Sequence, residues 1–153
     1  KYMIFNNFGW PYETTVSMSR LVFSGIMDKY RDLKIITHPC GGMVPFFEQR
    51  TISTYSHSSP VSNADYTKAL SKPPIEYFKM FYADTALQGN TPALLCGHAF
   101  FGTGHLLFGT DFPYPEYSGK YTRRTIASIE RMSISDRAKK RIFAGNASRL
   151  LHL

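Results

Sequence analysis

LKIITH, residues 33–38, is a β-branched apolar run that ends abruptly in a histidine. It has no alternation of polar and apolar positions, which predicts a strand buried on both faces. The next nine residues, PCGGMVPFF (39–47), hold two glycines and two prolines, so the chain is expected to leave the strand through an irregular loop. Upstream, Val16, Met18, Leu21, Val22, Ile26 and Met27 recur at three- and four-residue steps, which predicts an amphipathic helix over Glu13 to Tyr30. Downstream, Thr51 to Pro74 lacks periodicity and reads as a long surface excursion. A second short buried strand is predicted over Lys79 to Ala86, and a helix over Thr91 to Phe101 with Pro92 in its first turn. Leu106 to Gly109 (LLFG) reads as a third buried strand that runs straight into Thr110 and Asp111. Helices are expected over Lys120 to Met132 and Ser135 to Phe143, and a last one from Gly145 and Asn146, with Ser135 and Asn146 as N-caps. Strands separated by helical crossovers imply a parallel sheet with helices outside it, an α/β architecture.

The chain has 153 residues, 43% hydrophobic and 19% charged, which fits one domain able to bury a core. Its apolar runs are broken by Gly, Pro or Lys well before the roughly 18–20 residues of a membrane helix. It opens at Lys1 without the order of a signal peptide, as expected of an internal start. Cys40 and Cys96 are far apart without CxxC spacing, so reduced thiols in a cytoplasmic protein are expected. The net charge of +7 invites nucleic acid, but it all sits beyond Ser118, where nine basic residues face two acidic ones. Those basic residues share segments with apolar residues at helical spacing, so solvated helix faces are the better reading and a nucleic-acid partner is not expected.

In parallel α/β sheets ligands bind beyond the carboxyl ends of the strands. Three places qualify: His38, then Asp84 with Thr85, and Asp111. An imidazole at position 38 suits general acid–base work, against the plain alternative of a strand-end histidine bonded to a loop carbonyl. A carboxylate at Asp111, stiffened by Pro113 and Pro115, suits a metal ligand or proton acceptor, against the alternative of an Asx turn. His57, His98, His105 and His152 read as structural or solvent-exposed. GTGH (102–105) precedes its strand, so it is no phosphate loop, and no GxSxG elbow occurs.

Three segments together resemble a known family. DLKIITHPCGGMVPFFEQR (32–50) is similar to the sixth-strand region of the amidohydrolase-related, aminocarboxymuconate-semialdehyde-decarboxylase-like proteins, HLLFGTDFPYP (105–115) resembles their eighth-strand motif, and AGNASRLLHL (144–153) resembles their closing helix. The resemblance implies a partial (β/α)8 TIM barrel over residues 1–153, approximately strands six to eight, from a metal-dependent decarboxylase or hydrolase of a small carboxylate-bearing substrate. It implies that Asp111 ligates a divalent metal, typically zinc, and that His38 acts on the substrate or the metal's water. Arg50 becomes a candidate for the substrate carboxylate, and Phe46, Phe47, Phe112 and Tyr114 for the walls of an apolar pocket. A whole barrel takes roughly 250 residues, and the family's first-strand and fifth-strand ligands have no counterpart here. The isolated chain is therefore expected to be inactive and to pair its open sheet edges with another copy, giving a homo-oligomer. The other class of function left open is a non-catalytic assembly or binding module.

Overall fold

The computed structural model describes residues 1–56, 70–114 and 117–153. A π-helical turn (Phe5–Gly9) leads into α1 (Trp10–Phe23) and α2 (Ile26–Lys29), followed by β1 (Ile36–Thr37) and α3 (Glu48–Thr54). Next come α4 (Pro74–Phe78), β2 (Tyr82–Asp84), α5 (Thr91–Phe101), a 3₁₀ turn (Thr103–His105) and β3 (Leu106–Leu107). The carboxyl-terminal region is α6 (Lys120–Glu130), α7 (Asp136–Lys140), a π-helical segment (Arg141–Gly145) and α8 (Asn146–Leu151).

The three strands form one parallel sheet in the order β1-β2-β3, so the α/β expectation holds. Ile36 pairs with Tyr82 and Thr37 with Ala83, while Ala83 pairs with Leu106 and Asp84 with Leu107. Partners in register point to the same side of a sheet. Thr37, Ala83 and Leu106 therefore share one face, and all three are buried against the core that also holds Met18, Val22, Phe81, Leu94, Ile129 and Ile142. Full burial of a side chain such as Leu94 contributes about 1.5–3 kcal/mol. The other face carries Ile36, Tyr82, Asp84 and Leu107.

On that second face the expectation for residues 33–37 needs correction. Ile36 is 52% exposed, so β1 is covered on one side only. β1 lies at the edge of the three-stranded sheet, with β2 on one side only. The strands are also shorter than the apolar runs. Lys79 caps α4, and the sheet begins only at Tyr82.

Local chemistry accounts for the helices. The helix expected over Thr91 to Phe101 with Pro92 in its first turn is α5; Asn90 caps it by accepting a hydrogen bond from the Ala93 amide at 3.2 Å, and Gly102 at φ 72° ends it. Ser135 likewise caps α7 through the Ala138 amide at 3.2 Å. The expected helix over 13–30 starts earlier, at Trp10, and breaks at Gly25, whose φ of 70° a continuous helix does not accept. Asn146 is no N-cap. It lies in a continuous helical stretch, 1% exposed, and its side-chain nitrogen donates to the Thr103 carbonyl at 2.6 Å and the Leu106 carbonyl at 2.8 Å. It therefore fastens the carboxyl-terminal helix to the base of β3. His57 and Pro115 lie outside the described residues. Among the described residues no helix is long and apolar enough to cross a membrane.

Candidate active site

At the carboxyl end of β1 the loop that follows His38 winds tightly. Cys40, Gly41 and Gly42 have φ of 46°, 77° and 61°, three successive left-handed residues. Two of them are glycines, which take that conformation without Cβ strain. A Cβ on Gly42 would lie 2.5 Å from the Pro11 carbonyl oxygen, so the loop is pressed onto the start of α1. Thr14 of α1 donates to the His38 carbonyl, and the Met43 amide donates to Thr15 Oγ1 at 2.9 Å. The helix thus holds the main chain of the loop and leaves the His38 ring free to face the sheet.

That ring is held by Asp84, the last residue of β2. His38 Nδ1 lies 2.6 Å from Asp84 Oδ2, while Asp84 Oδ1 accepts from the Cys40 amide at 3.0 Å and the Ala86 amide at 3.1 Å. Both oxygens of Asp84 are engaged, so its carboxylate is fixed in orientation. The neighbouring strand makes room for it: a Cβ on Gly109 would stand 3.0 Å from the Asp84 Cβ. Thr85 Oγ1 donates to the Gly109 carbonyl at 2.9 Å and accepts from the Gly109 amide at 3.1 Å, carrying the β2–β3 contact one step past the strands.

The other ring nitrogen, His38 Nε2, lies 3.8 Å from Asp111 Oδ1. Asp111 adopts a φ of 63°, uncommon for a residue with a side chain, and its carbonyl accepts from the Tyr114 amide at 2.8 Å. The hydrogen bond to Asp84 raises the His38 pKa above its ordinary value. Partial burial opposes that rise, and the charges of Asp84 and Asp111 add to it. With Asp84 accepting from Nδ1, the neutral ring presents Nε2 as an acceptor and the protonated ring presents it as a donor.

His38, Asp111 and Tyr114 line one open cleft of about 240 Å³, together with Asn6, Asn7, Trp10, Pro11, Pro39, Ala86, Leu87 and Gln88. Trp10 and Tyr114 meet edge to face with ring centroids 5.9 Å apart, forming an aromatic wall. The structure therefore brings together His38, Asp111 and Tyr114. Phe46 does not line the cleft. It is 77% exposed and packs on Phe47. Arg50 is exposed on α3 and is not among the lining residues either. The partner that the sequence reading left without a role is Asp84, although its place at the end of a strand had marked it. His105 and His98 are structural, as read: His105 bonds the Phe81 carbonyl at 3.0 Å and stacks on Tyr82, and His98 bonds Thr103 Oγ1 at 2.8 Å.

A catalytic divalent ion takes about three protein ligands plus an open position. Among the described residues no group of three His, Cys, Asp or Glu side chains is arranged to hold a metal ion. Asp111 and His38 alone do not make a metal centre, and His38 has one nitrogen committed to Asp84.

The amidohydrolase family profile matches residues 4–153. The chain belongs to the amidohydrolase family. It is 30% identical to the 6-methylsalicylic acid decarboxylase of Penicillium expansum, over 94% of this chain and 42% of that protein. It is also 30% identical to the gamma-resorcylate decarboxylase of Polaromonas sp., again over 94% of this chain and 42% of the relative. The amidohydrolase chain thus spans less than half the length of these relatives. Among solved structures it resembles the dihydroxybenzoic acid decarboxylase of Polaromonas sp. JS666, with bound manganese and the inhibitor 2-nitroresorcinol. The TM-score is 0.76 at 28% identity, covering 98% of this chain and 45% of that one.

Proposed function

We propose that this chain is part of a metal-dependent carboxy-lyase acting on a small aromatic carboxylate, and that it corresponds to strands six to eight of a (β/α)8 barrel. The observation that carries the reading is the 2.6 Å contact of His38 Nδ1 with Asp84, which leaves Nε2 facing Asp111 in the cleft. The relatives whose names specify acids remove a carboxyl group from hydroxylated benzoates, and the Trp10–Tyr114 wall suits a ring of that kind.

In this reading protonated His38 gives its Nε2 proton to the ring carbon that bears the carboxylate. The bond between that carbon and the carboxyl carbon then breaks, its electron pair stays with the ring and carbon dioxide leaves. Asp84 holds the Nδ1 proton and steadies the imidazolium. The His38 side chain is 48% exposed, so it regains its proton from solvent. Asp111 is the ligand this chain contributes to a divalent ion, zinc by the family resemblance, while the solved relative carries manganese. The remaining ligands would come from polypeptide beyond these 153 residues or from a second chain. Phe46 and Arg50 would reach the substrate only if that added polypeptide encloses them.

The test is metal content of protein purified without chelator, with carbon dioxide release from a hydroxybenzoate followed in parallel for wild type, Asp111→Ala and His38→Gln. About one divalent ion per chain or per dimer, lost in Asp111→Ala, supports the reading, as does release abolished in His38→Gln. No metal and no release favours the second reading, a non-catalytic assembly module, which the short donor set and the half-exposed Ile36 face recommend. In either case a homo-oligomer is expected, and elution as a clean monomer near 17.4 kDa refutes it.

A further inference from the structure

The loop after β2 holds a second backbone oddity beside the one at Asp111. Gln88 has a φ of 53°, a left-handed conformation at a residue with a long side chain, and glycine is the usual occupant of such a place. Gly89 follows at φ 95°, where a Cβ would meet the Arg124 side chain at 2.8 Å, so the loop is fixed against α6. Gln88 is exposed and lines the cleft with His38 and Asp111. Asn6 and Asn7, on the turn before α1, bring two further side-chain amides to the same cleft. Among the described residues no lysine or arginine lines the cleft.

We propose that Gln88, with Asn6 and Asn7 as the other amides of the rim, is a specificity-determining residue that reads an uncharged hydroxyl on the substrate ring. An amide both donates and accepts, and so it matches a phenolic hydroxyl. A neutral rim also discriminates by hydrogen-bond pattern instead of attracting every anion. Glycine at position 88 would relieve the left-handed backbone but would bring no amide to the ring. This inference rests on the aromatic-carboxylate reading above.

The experiment titrates the 153-residue chain with 2-hydroxybenzoate and with benzoate, following the His38 ring resonances by NMR, in wild type and Gln88→Gly. Thermal melts of both proteins accompany the titrations. The expected result is that Gln88→Gly melts no lower than wild type, since glycine suits φ 53°. It should bind 2-hydroxybenzoate roughly three- to tenfold more weakly, the range for one neutral hydrogen bond, with benzoate unchanged. Equal binding of 2-hydroxybenzoate by both proteins, or equal losses for the two ligands, overturns the role of Gln88 and leaves the aromatic-carboxylate reading standing. If neither ligand moves the His38 resonances in wild type, Gln88 reads no ring hydroxyl in this chain and the inference is overturned, while the aromatic-carboxylate reading is judged separately by metal content and carbon dioxide release.

Discussion

Replacing Asn146 by alanine is expected to lower stability by about 3 kcal/mol. The amide is buried, and its nitrogen bonds the carbonyls of Thr103 and Leu106 while its oxygen accepts from Arg141 Nε at 3.3 Å. Alanine leaves two carbonyl oxygens without a donor at the base of β3. Each lost bond to a buried partner costs about 1 kcal/mol or somewhat more, and the space left by the amide adds a smaller cavity cost. The Arg141 bond is long and partly exposed, so little is assigned to it. In a chain of this size each kcal/mol moves the melting temperature by about 2–4 °C, so a drop of about 6–12 °C is expected by circular dichroism at pH 7. Asn146→Asp keeps the shape but turns a carboxylate toward two carbonyl oxygens. It should be at least as damaging at pH 7 and partly relieved in acid, where a protonated carboxyl regains one donor. An alanine variant that melts within about 1 °C of wild type would refute the assignment of Asn146 as the fastening between the carboxyl-terminal helix and β3.

Asp84→Asn removes the charge that raises the His38 pKa, so an NMR titration should place the His38 midpoint lower in the variant; an unchanged midpoint would show that the contact does not operate in solution. In wild type that raised pKa contributes stability that is fully present below the unfolded value of about 6.5 and is lost as pH rises through the folded value, so the stability gap between wild type and Asp84→Asn should narrow above neutrality. Asp28 accepts from Tyr77 Oη at 2.6 Å and from Ser71 Oγ at 2.7 Å, and these bonds hold its pKa down to about 2. Its contribution is present above the unfolded carboxylate range and lost as pH falls through about 2, so Asp28→Asn should flatten the acid limb of an unfolding curve measured between pH 4 and 2. Burial pushes the Cys40 thiol up to about 12, so iodoacetamide at pH 8 should spare Cys40 in the folded chain and label it after denaturation, with the adduct located by mass spectrometry. Gly42→Ala combines a left-handed backbone, about 1–2 kcal/mol by itself, with a collision against the Pro11 carbonyl, and should melt well below wild type; an unchanged melt would mean that the loop does not press on α1.

What the sequence determined by itself is whatever depends on neighbours close along the chain. The bounds of α5 follow from an asparagine cap, a first-turn proline and a terminal glycine within thirteen residues, and Ser135 announces α7 in the same way. The three strand-end positions were also legible, because a buried apolar run followed by a polar residue marks the carboxyl end of a parallel strand. His38 and Asp111 were singled out on that ground, and the family could be named from the motifs around them. Only the tertiary structure decided how these positions combine. His38 and Asp84 are 46 residues apart, and their contact depends on the β1–β2 register and on the bend that α1 imposes on the loop between. Asn146 sits at the start of a helical motif and so reads as a cap, yet it is buried because β3, some 40 residues earlier, offers it two carbonyl oxygens. Burial of a strand face, likewise, is not a property of the strand. Ile36 and Thr37 are adjacent in one apolar run, yet Thr37 turns into the helix-covered core and is buried, while Ile36 is exposed on the opposite face because β1 is the edge strand; on that same face Tyr82 and Leu107, further into the sheet, are buried.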